Sequence, residues 1–181
     1  MTSTQRQARL LNATVRVANN IASILDPQTL LQKTVDIICD EFGFYYAGVF
    51  LLSADRQWAE LRAGRGEAGQ AMLAEKHKLK VGGNSMIGAS ISNQKARIAL
   101  DVGEEAIHFS NPHLPETRSE MALPLTVGTH ILGAVTVQST EGNAFSNEDI
   151  STLQGMADQL AIAIDNANQH AEKAKLLKQA E

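Results

Sequence analysis

The chain of 181 residues has one cysteine, no long hydrophobic run and no excess of positive charge. The single cysteine, Cys39, excludes an internal disulfide and a thiol-rich metal site, and it favours a reducing, intracellular compartment. No apolar run approaches the roughly 20 residues of a transmembrane helix, and the N-terminus lacks the apolar core of a secretory signal. A formal net charge of −4 is not typical of a nucleic-acid-binding surface. We therefore predict a cytoplasmic protein with no nucleic-acid partner and no membrane span in this segment.

Two helices are predicted at the start of the chain. From about residue 5 to residue 25, apolar side chains recur with the alternating spacing of four and three that places them on one helical face. Asp26 and Pro27 end this helix and begin the next one as its N-cap and first helical residue. Gly43 closes the second helix, at a position that requires a left-handed backbone.

The middle of the chain changes to a strand pattern. Six strands are predicted, at residues 44–53, 57–63, 77–81, 97–102, 118–127 and 130–139. A glycine-broken loop with two turns of helix is expected within residues 64–75, and a short helix from Asn84 or Ser85 to Asn93. The segment 104–117 contains two prolines and few periodic cues, so its length predicts a functional loop.

A long helix is predicted after residue 145. Phe145 and Ile150 flank Ser146 and Asp149 in the pattern of a hydrophobic staple around a capping box. The apolar stripe of this helix keeps a heptad register, which favours a coiled coil with a second copy. The predicted dimer contacts on the two terminal helices are Leu11, Val15, Ala18, Leu153, Ala157, Leu160 and Ile164. A loop over a strand pair, coupled to a helix that leaves the domain, is typical of a sensor and not of an enzyme.

Three consecutive segments, PETRSEMALPL, GTHILGAVTVQS and NAFSNEDISTLQGMADQLAIAIDNA, closely resemble the second half of a GAF domain. LDPQTLLQKTVDIICDEFGFYYAGVFLLS and RIALDV fit the same family, so the similarity covers roughly residues 27–167. The resemblance implies an α+β fold with a central antiparallel sheet of about six strands. The N- and C-terminal helices would pack on one face of this sheet, and loops and short helices would cover a small-molecule pocket on the other.

The resemblance also implies the organisation of a bacterial signalling protein. Residues 1–26 would form a dimerisation helix, residues 27–167 the GAF domain, and residues 168–181 a helical extension toward an output domain. The implied output is a kinase, a cyclase or a transcriptional module in a longer protein. The implied function is a regulatory sensor that binds a small molecule and relays its state through a parallel homodimer. A ligand-free dimerisation and relay module is the alternative.

The resemblance leaves the cofactor unknown, because family members bind very different ligands. Covalent bilin attachment needs a thiol beside the pocket, whereas Cys39 is expected to face the helices as a small buried hydrophobe. The sulfoxide reductases of the family cycle several cysteines, which one thiol cannot reproduce. A noncovalent haem would use one axial histidine. Phe145 and Asp149 keep part of a cyclic-nucleotide signature, but the staple and the cap already account for both.

Seven residues are candidates for ligand contacts: Trp58, Met86, His108, Phe109, His113, Arg118 and Glu120. Each also has a structural interpretation. His108 and His113 could be exposed loop residues, and Arg118 and Glu120 could form a salt bridge that ties the loop to the sheet. Trp58 could cover the sheet edge, while ordinary packing would account for Met86 and Phe109. No metal site is predicted, because the loop histidines lack a recognised ligand spacing.

Overall fold

A computed structural model of the chain describes residues 4–5, 8, 11–12, 14–16, 19, 26–103 and 111–180, and the described residues before 20 are helical. The elements that follow are α1 (Pro27–Phe42), β1 (Tyr46–Leu52), β2 (Trp58–Gly64), α2 (Gly66–Ala74), β3 (Lys78–Lys80), α3 (Met86–Asn93), β4 (Arg97–Ala99), β5 (Ser119–Val127), β6 (His130–Ser139) and α4 (Asn147–Ala180). No helix in the described ranges combines the length and the hydrophobicity that a bilayer crossing requires.

The strands form one antiparallel sheet in the order β3-β2-β1-β6-β5-β4. Successive side chains of a strand point to opposite faces, so each strand contributes to two layers. In β5, Met121 and Leu123 belong to the core on one face, whereas Ala122 belongs to the core on the other face. The predicted α+β architecture is confirmed.

Helices α1 and α4 cover one face of the sheet and form the larger core with it. Both helices begin as the sequence predicts. The Asp26 carboxylate accepts a hydrogen bond from the Thr29 amide at 3.1 Å, and Gly43 ends α1 with a φ of 75°. At α4, the Ser146 amide donates to the Asp149 carboxylate at 2.9 Å, and the Asp149 amide donates back to the Ser146 hydroxyl at 3.1 Å. This reciprocal pair is the predicted capping box.

The opposite face is covered by α2, by α3 and by the segment around Leu114, which pack on Tyr46, Phe50 and Ala134 of the sheet. The strand predicted at residues 97–102 is shorter than expected. It ends at Ala99, and the Asp101 carboxylate then accepts a hydrogen bond from the Gly103 amide at 3.0 Å, which turns the chain. The sheet therefore has a helical layer on one side and a second layer, with short helices, on the other.

Candidate ligand cavity

A small cavity lies between the sheet and the layer of α2 and α3. Its free volume is about 20 Å³, which is room for roughly one water molecule. Its walls combine apolar side chains with a few polar groups, as ligand sites do. The lining residues are Tyr46, Phe50, Met72, His77, Leu79, Ser85, Met86, Ile87, Asn111, Leu114, Glu120, Thr136 and Gln138.

Three polar side chains cross the floor of the cavity in one row. Tyr46 on β1 pairs with Gln138 on β6, and Gln138 pairs with Glu120 on β5. All three side chains lie on the cavity face of the sheet, and Glu120 is only 7% exposed. A buried carboxylate is costly unless hydrogen bonds compensate for the lost water.

Hydrogen bonds hold Glu120 in this row. The Thr136 hydroxyl donates to Glu120 Oε2 at 2.6 Å, and Gln138 Nε2 donates to the same oxygen at 3.1 Å. Gln138 Nε2 also donates to the Thr136 hydroxyl at 3.1 Å, while Thr117 donates to Gln138 Oε1 at 2.7 Å. The side chains of β5 and β6 thus form a fixed polar network on an otherwise apolar floor.

The Tyr46 hydroxyl is placed differently. Tyr46 is 2% exposed, and its hydroxyl has no hydrogen-bond partner among the described residues. It lies over Gly48 and Gly64, which pair across β1 and β2; a Cβ on them would come within 2.9 Å and 2.5 Å of the Tyr46 oxygen. Burial raises the pKa of Tyr46, with smaller contributions in the same direction from Cys39 and Glu120. The side chain is therefore a neutral phenol at physiological pH.

His77 lines the cavity, and His113 and Glu75 influence it electrostatically. Burial lowers the pKa of His77, with His113 adding to the effect and Glu75 opposing it. His113 Nε2 lies 3.0 Å from Glu75 Oε2, which connects the segment after residue 110 to the end of α2. Asn111 Nδ2 lies 3.1 Å from Met72 Sδ in the same region.

The comparison with known families agrees with this architecture. The family model described as the GAF domain matches residues 24–165. The chain belongs to the GAF domain family. Among solved structures, this GAF domain is similar to that of a phosphoenolpyruvate-protein phosphotransferase from Coxiella burnetii. The TM-score is 0.82 at 17% identity, over 91% of this chain and 98% of that one.

A second similar structure is the free methionine-R-sulfoxide reductase from Neisseria meningitidis, solved in complex with its substrate. The TM-score is 0.79 at 17% identity, over 94% of this chain and 96% of that one. The prediction that the chain is not an enzyme was drawn from its layout and is wrong, because sulfoxide reductases share this fold over most of the chain. At 17% identity, the similarity concerns the fold alone.

A curated relative is similar over a short segment. This GAF domain is 42% identical over 50 residues to the DNA-binding transcriptional activator HyfR of Escherichia coli (strain K12). The matched segment is 28% of this chain and 8% of that protein, so the GAF domain spans a small part of its relative.

The structure brings two of the predicted ligand contacts, Met86 and Glu120, to the cavity. Arg118 is exposed, and Trp58 is half-buried on β2, the second strand of the sheet, with Lys78 Nζ 4.3 Å from its ring centroid. Neither of them lines the cavity, nor does His113. His108 and Phe109 lie outside the described residues.

Sequence reasoning missed Tyr46, Thr136 and Gln138. Strand alternation could have found the last two, because the polar side chains of VTVQ lie two residues apart in an apolar strand.

The structure corrects the prediction for four of the dimer contacts. Leu153, Ala157, Leu160 and Ile164 pack on the domain's own sheet. A side chain buried within its own chain is not available to a second copy, so the heptad stripe up to Ile164 is an intrachain core. Of the N-terminal candidates, Leu11 and Val15 are exposed, and Ala18 lies outside the described residues.

Cys39 lies in the helical layer, on the opposite face of the sheet from the cavity, and is buried as predicted. Burial raises the pKa of its thiol to about 12, against the lowering effect of Arg65. The thiol is therefore protonated at neutral pH and separated from the cavity by the sheet.

Proposed function

We propose that this GAF domain is a sensor that binds a small molecule in the cavity and passes the bound state to α4. The observation that carries the proposal is the row of Tyr46, Gln138 and Glu120, a set of buried polar groups on an apolar floor. Such groups cost stability when they only fill space, and they are common where a ligand must be oriented. The ligand-free relay module is the alternative.

Binding requires the cavity to open. Its free volume of about 20 Å³ is far below the roughly 300 Å³ of a typical ligand pocket. The ligand therefore stabilises a minor, open arrangement in which α2 or α3 moves away from the sheet. It changes the population only through its higher affinity for that arrangement. Met72 and Met86 suit such a change, because methionine side chains adapt to new packing.

Strand β5 supplies the connection to α4. Glu120 and Ala122 face the cavity, while Met121 and Leu123 between and beside them pack in the core under α4. A shift of β5 on ligand binding therefore changes the surface on which α4 rests. The Gln154 amide Nε2, which lies 3.4 Å from the Pro124 carbonyl oxygen, is a second point of contact.

The end of α4 carries the signal in this proposal. Every side chain from residue 168 to residue 180 is exposed, over about 20 Å at about 1.5 Å per residue. A helix of this length without tertiary packing is marginal in water, which favours a partner along it. We propose a parallel homodimer through this projecting segment, including the exposed Leu176 and Leu177, together with the N-terminal helix. The short match to HyfR favours a transcriptional output domain.

Thermal denaturation against a library of nucleotides, haem, bilins and amino acids tests the sensor proposal. A ligand at about a hundred times its Kd stabilises the domain by about 2.7 kcal/mol, or about 5–11 °C for a chain of this size. Thr136→Val keeps the shape of the floor but removes a donor to Glu120, so the shift should decrease. Thr129→Val makes the same chemical change at an exposed residue outside the cavity and serves as the matched control. No shift with any compound would favour the relay alternative.

The same protein preparation should also be assayed for reduction of free methionine-R-sulfoxide, the activity named for structures with this fold. Turnover that depends on Cys39 would replace the sensor proposal with a catalytic one. Light scattering of the chain, compared with a variant that ends at residue 167, tests the homodimer. An unchanged oligomeric state after this truncation would refute the proposed interface.

A further inference from the structure

The Tyr46 hydroxyl is a buried polar group without a hydrogen-bond partner among the described residues, which lowers the stability of the fold. Its oxygen lies so close to Gly48 and Gly64 that a Cβ on either residue would come within 2.9 Å or 2.5 Å of it. Glycine weakens a strand interior, and two glycines face each other here. A phenylalanine at position 46 would fill the same floor without an unsatisfied hydroxyl. Packing alone therefore does not explain the tyrosine.

The surroundings of Tyr46 determine which group the hydroxyl can bind. The phenol is neutral, so its O–H is a hydrogen-bond donor without an acceptor among the described residues. The donors and acceptor of Gln138, its cross-strand neighbour, are already engaged by Glu120, Thr136 and Thr117. The missing acceptor has to come from outside the described protein groups.

Glu120 decides between a charged and a neutral acceptor. It lies two strands from Tyr46 in the same row, at about 10 Å by the usual strand spacing. Its carboxylate is buried in the same floor, where the Thr136 hydroxyl and Gln138 Nε2 both donate to one of its oxygens. An anionic acceptor would be repelled there, in a poorly screened interior.

We infer that the ligand of this cavity carries a neutral hydrogen-bond acceptor, a ketone or amide oxygen, which accepts a hydrogen bond from the Tyr46 hydroxyl. This inference rests on the proposed function and specifies the ligand class. The apolar walls of Phe50, Met72, Met86 and Ile87 suit an apolar body attached to that oxygen.

The two tyrosines of the chain make a direct test possible. Protein labelled with ¹³C at tyrosine Cζ should give two NMR signals, and Tyr46→Phe assigns them. The probes are N-methylacetamide, 2-pyrrolidinone and cyclopentanone at millimolar concentration, with acetate and cyclopentanecarboxylate as anions of similar size. The neutral probes should shift the Tyr46 signal and raise the melting temperature of the wild type.

Two variants separate the hydroxyl from general packing. Tyr46→Phe should melt at the same or a higher temperature than the wild type, because an unsatisfied hydroxyl is removed, and it should lose the response to neutral probes. Tyr45→Phe makes the same chemical change at the adjacent, partly buried residue and should keep the response. Carboxylates that bind as well as the neutral probes, or an unchanged response in Tyr46→Phe, would overturn the inference.

Labelled methionine methyl groups distinguish this failure from failure of the proposed function. If a probe shifts the Met72 and Met86 signals but not the Tyr46 signal, the cavity binds ligands and only the role of Tyr46 is wrong. If neither methionine nor tyrosine signals respond to any probe or library compound, both proposals are refuted, and a resident water is the only partner of the hydroxyl.

Discussion

Leu160 tests whether the stripe of α4 is a core or a dimer interface. The side chain is 0% exposed and packs between α4 and the sheet. It borders a void of about 10 Å³, which Leu123, Val135 and Leu153 also line. The side chains around Leu160 therefore do not pack tightly enough to fill even this small space. We therefore expect Leu160→Ala to leave a cavity and to lower the free energy of unfolding by about 3–5 kcal/mol, in the upper part of the usual range.

The measurement is urea denaturation together with a thermal melt at several protein concentrations. A loss of this size should lower the melting temperature by at least about 6 °C in a chain of this length. Because the contact is within one chain, the loss should be the same at every concentration. Ile162→Ala, two residues away and 52% exposed, is the control and should change stability by about 0.5 kcal/mol or less.

The intrachain assignment makes a clear statement about the oligomer. Leu160→Ala should not convert a dimer into a monomer by light scattering under conditions where the protein is folded. A loss below about 1 kcal/mol, combined with dissociation of an oligomer, would refute the reasoning and restore the heptad stripe as an interface.

Three further predictions concern single side chains. The raised pKa of Cys39 predicts that a thiol reagent labels the native protein slowly up to about pH 12, and fast labelling at pH 8 would contradict this. Because the unfolded thiol ionises near pH 9.0, the free energy of unfolding should fall as the pH rises from 9.0 to about 12. Gly48→Ala should cost about 1–3 kcal/mol in urea denaturation, and at least about 0.5 kcal/mol less in a Tyr46→Phe background, because the added Cβ lies nearest the Tyr46 oxygen; additive costs would show that the two do not touch. Burial lowers the pKa of His77, so around and below pH 6.5 this histidine binds more protons in the unfolded protein than in the folded one, and the free energy of unfolding should fall as the pH falls. If the His77→Gln variant loses as much stability over the same pH range, the dependence belongs to other groups.

Local signals in the sequence located most elements of the fold. The Asp26-Pro27 start, the Gly43 stop and the Ser146–Asp149 capping box each depend on groups within four residues, so spacing alone identifies them. The end of β4 at Ala99 was missed. The strand ends there because the chain turns at Asp101. The sequence of this turn is equally compatible with a strand that ends a few residues later.

The candidate site was less accessible to sequence reasoning. Met86 and Glu120 were predicted next to a pocket, but Tyr46 is separated from Glu120 by more than 70 positions and joins it only through the pairing of β1, β6 and β5. The two glycines that make room for the Tyr46 hydroxyl are also unremarkable in sequence, because their common role depends on β1–β2 register.

The sequence by itself determined the GAF family, the order of the elements and the amphipathic pattern of each one, because helix caps and hydrophobic periodicity are local properties of a chain. Only the tertiary structure decided what each apolar or polar face contacts. A heptad stripe has the same spacing whether it packs on a second helix or on a sheet, and Leu160 and Ile164 pack on the sheet. The sequence likewise does not reveal whether the hydroxyl of a strand tyrosine is hydrogen-bonded. The packing of Tyr46 over the paired glycines leaves its hydroxyl without a hydrogen-bond partner among the described residues.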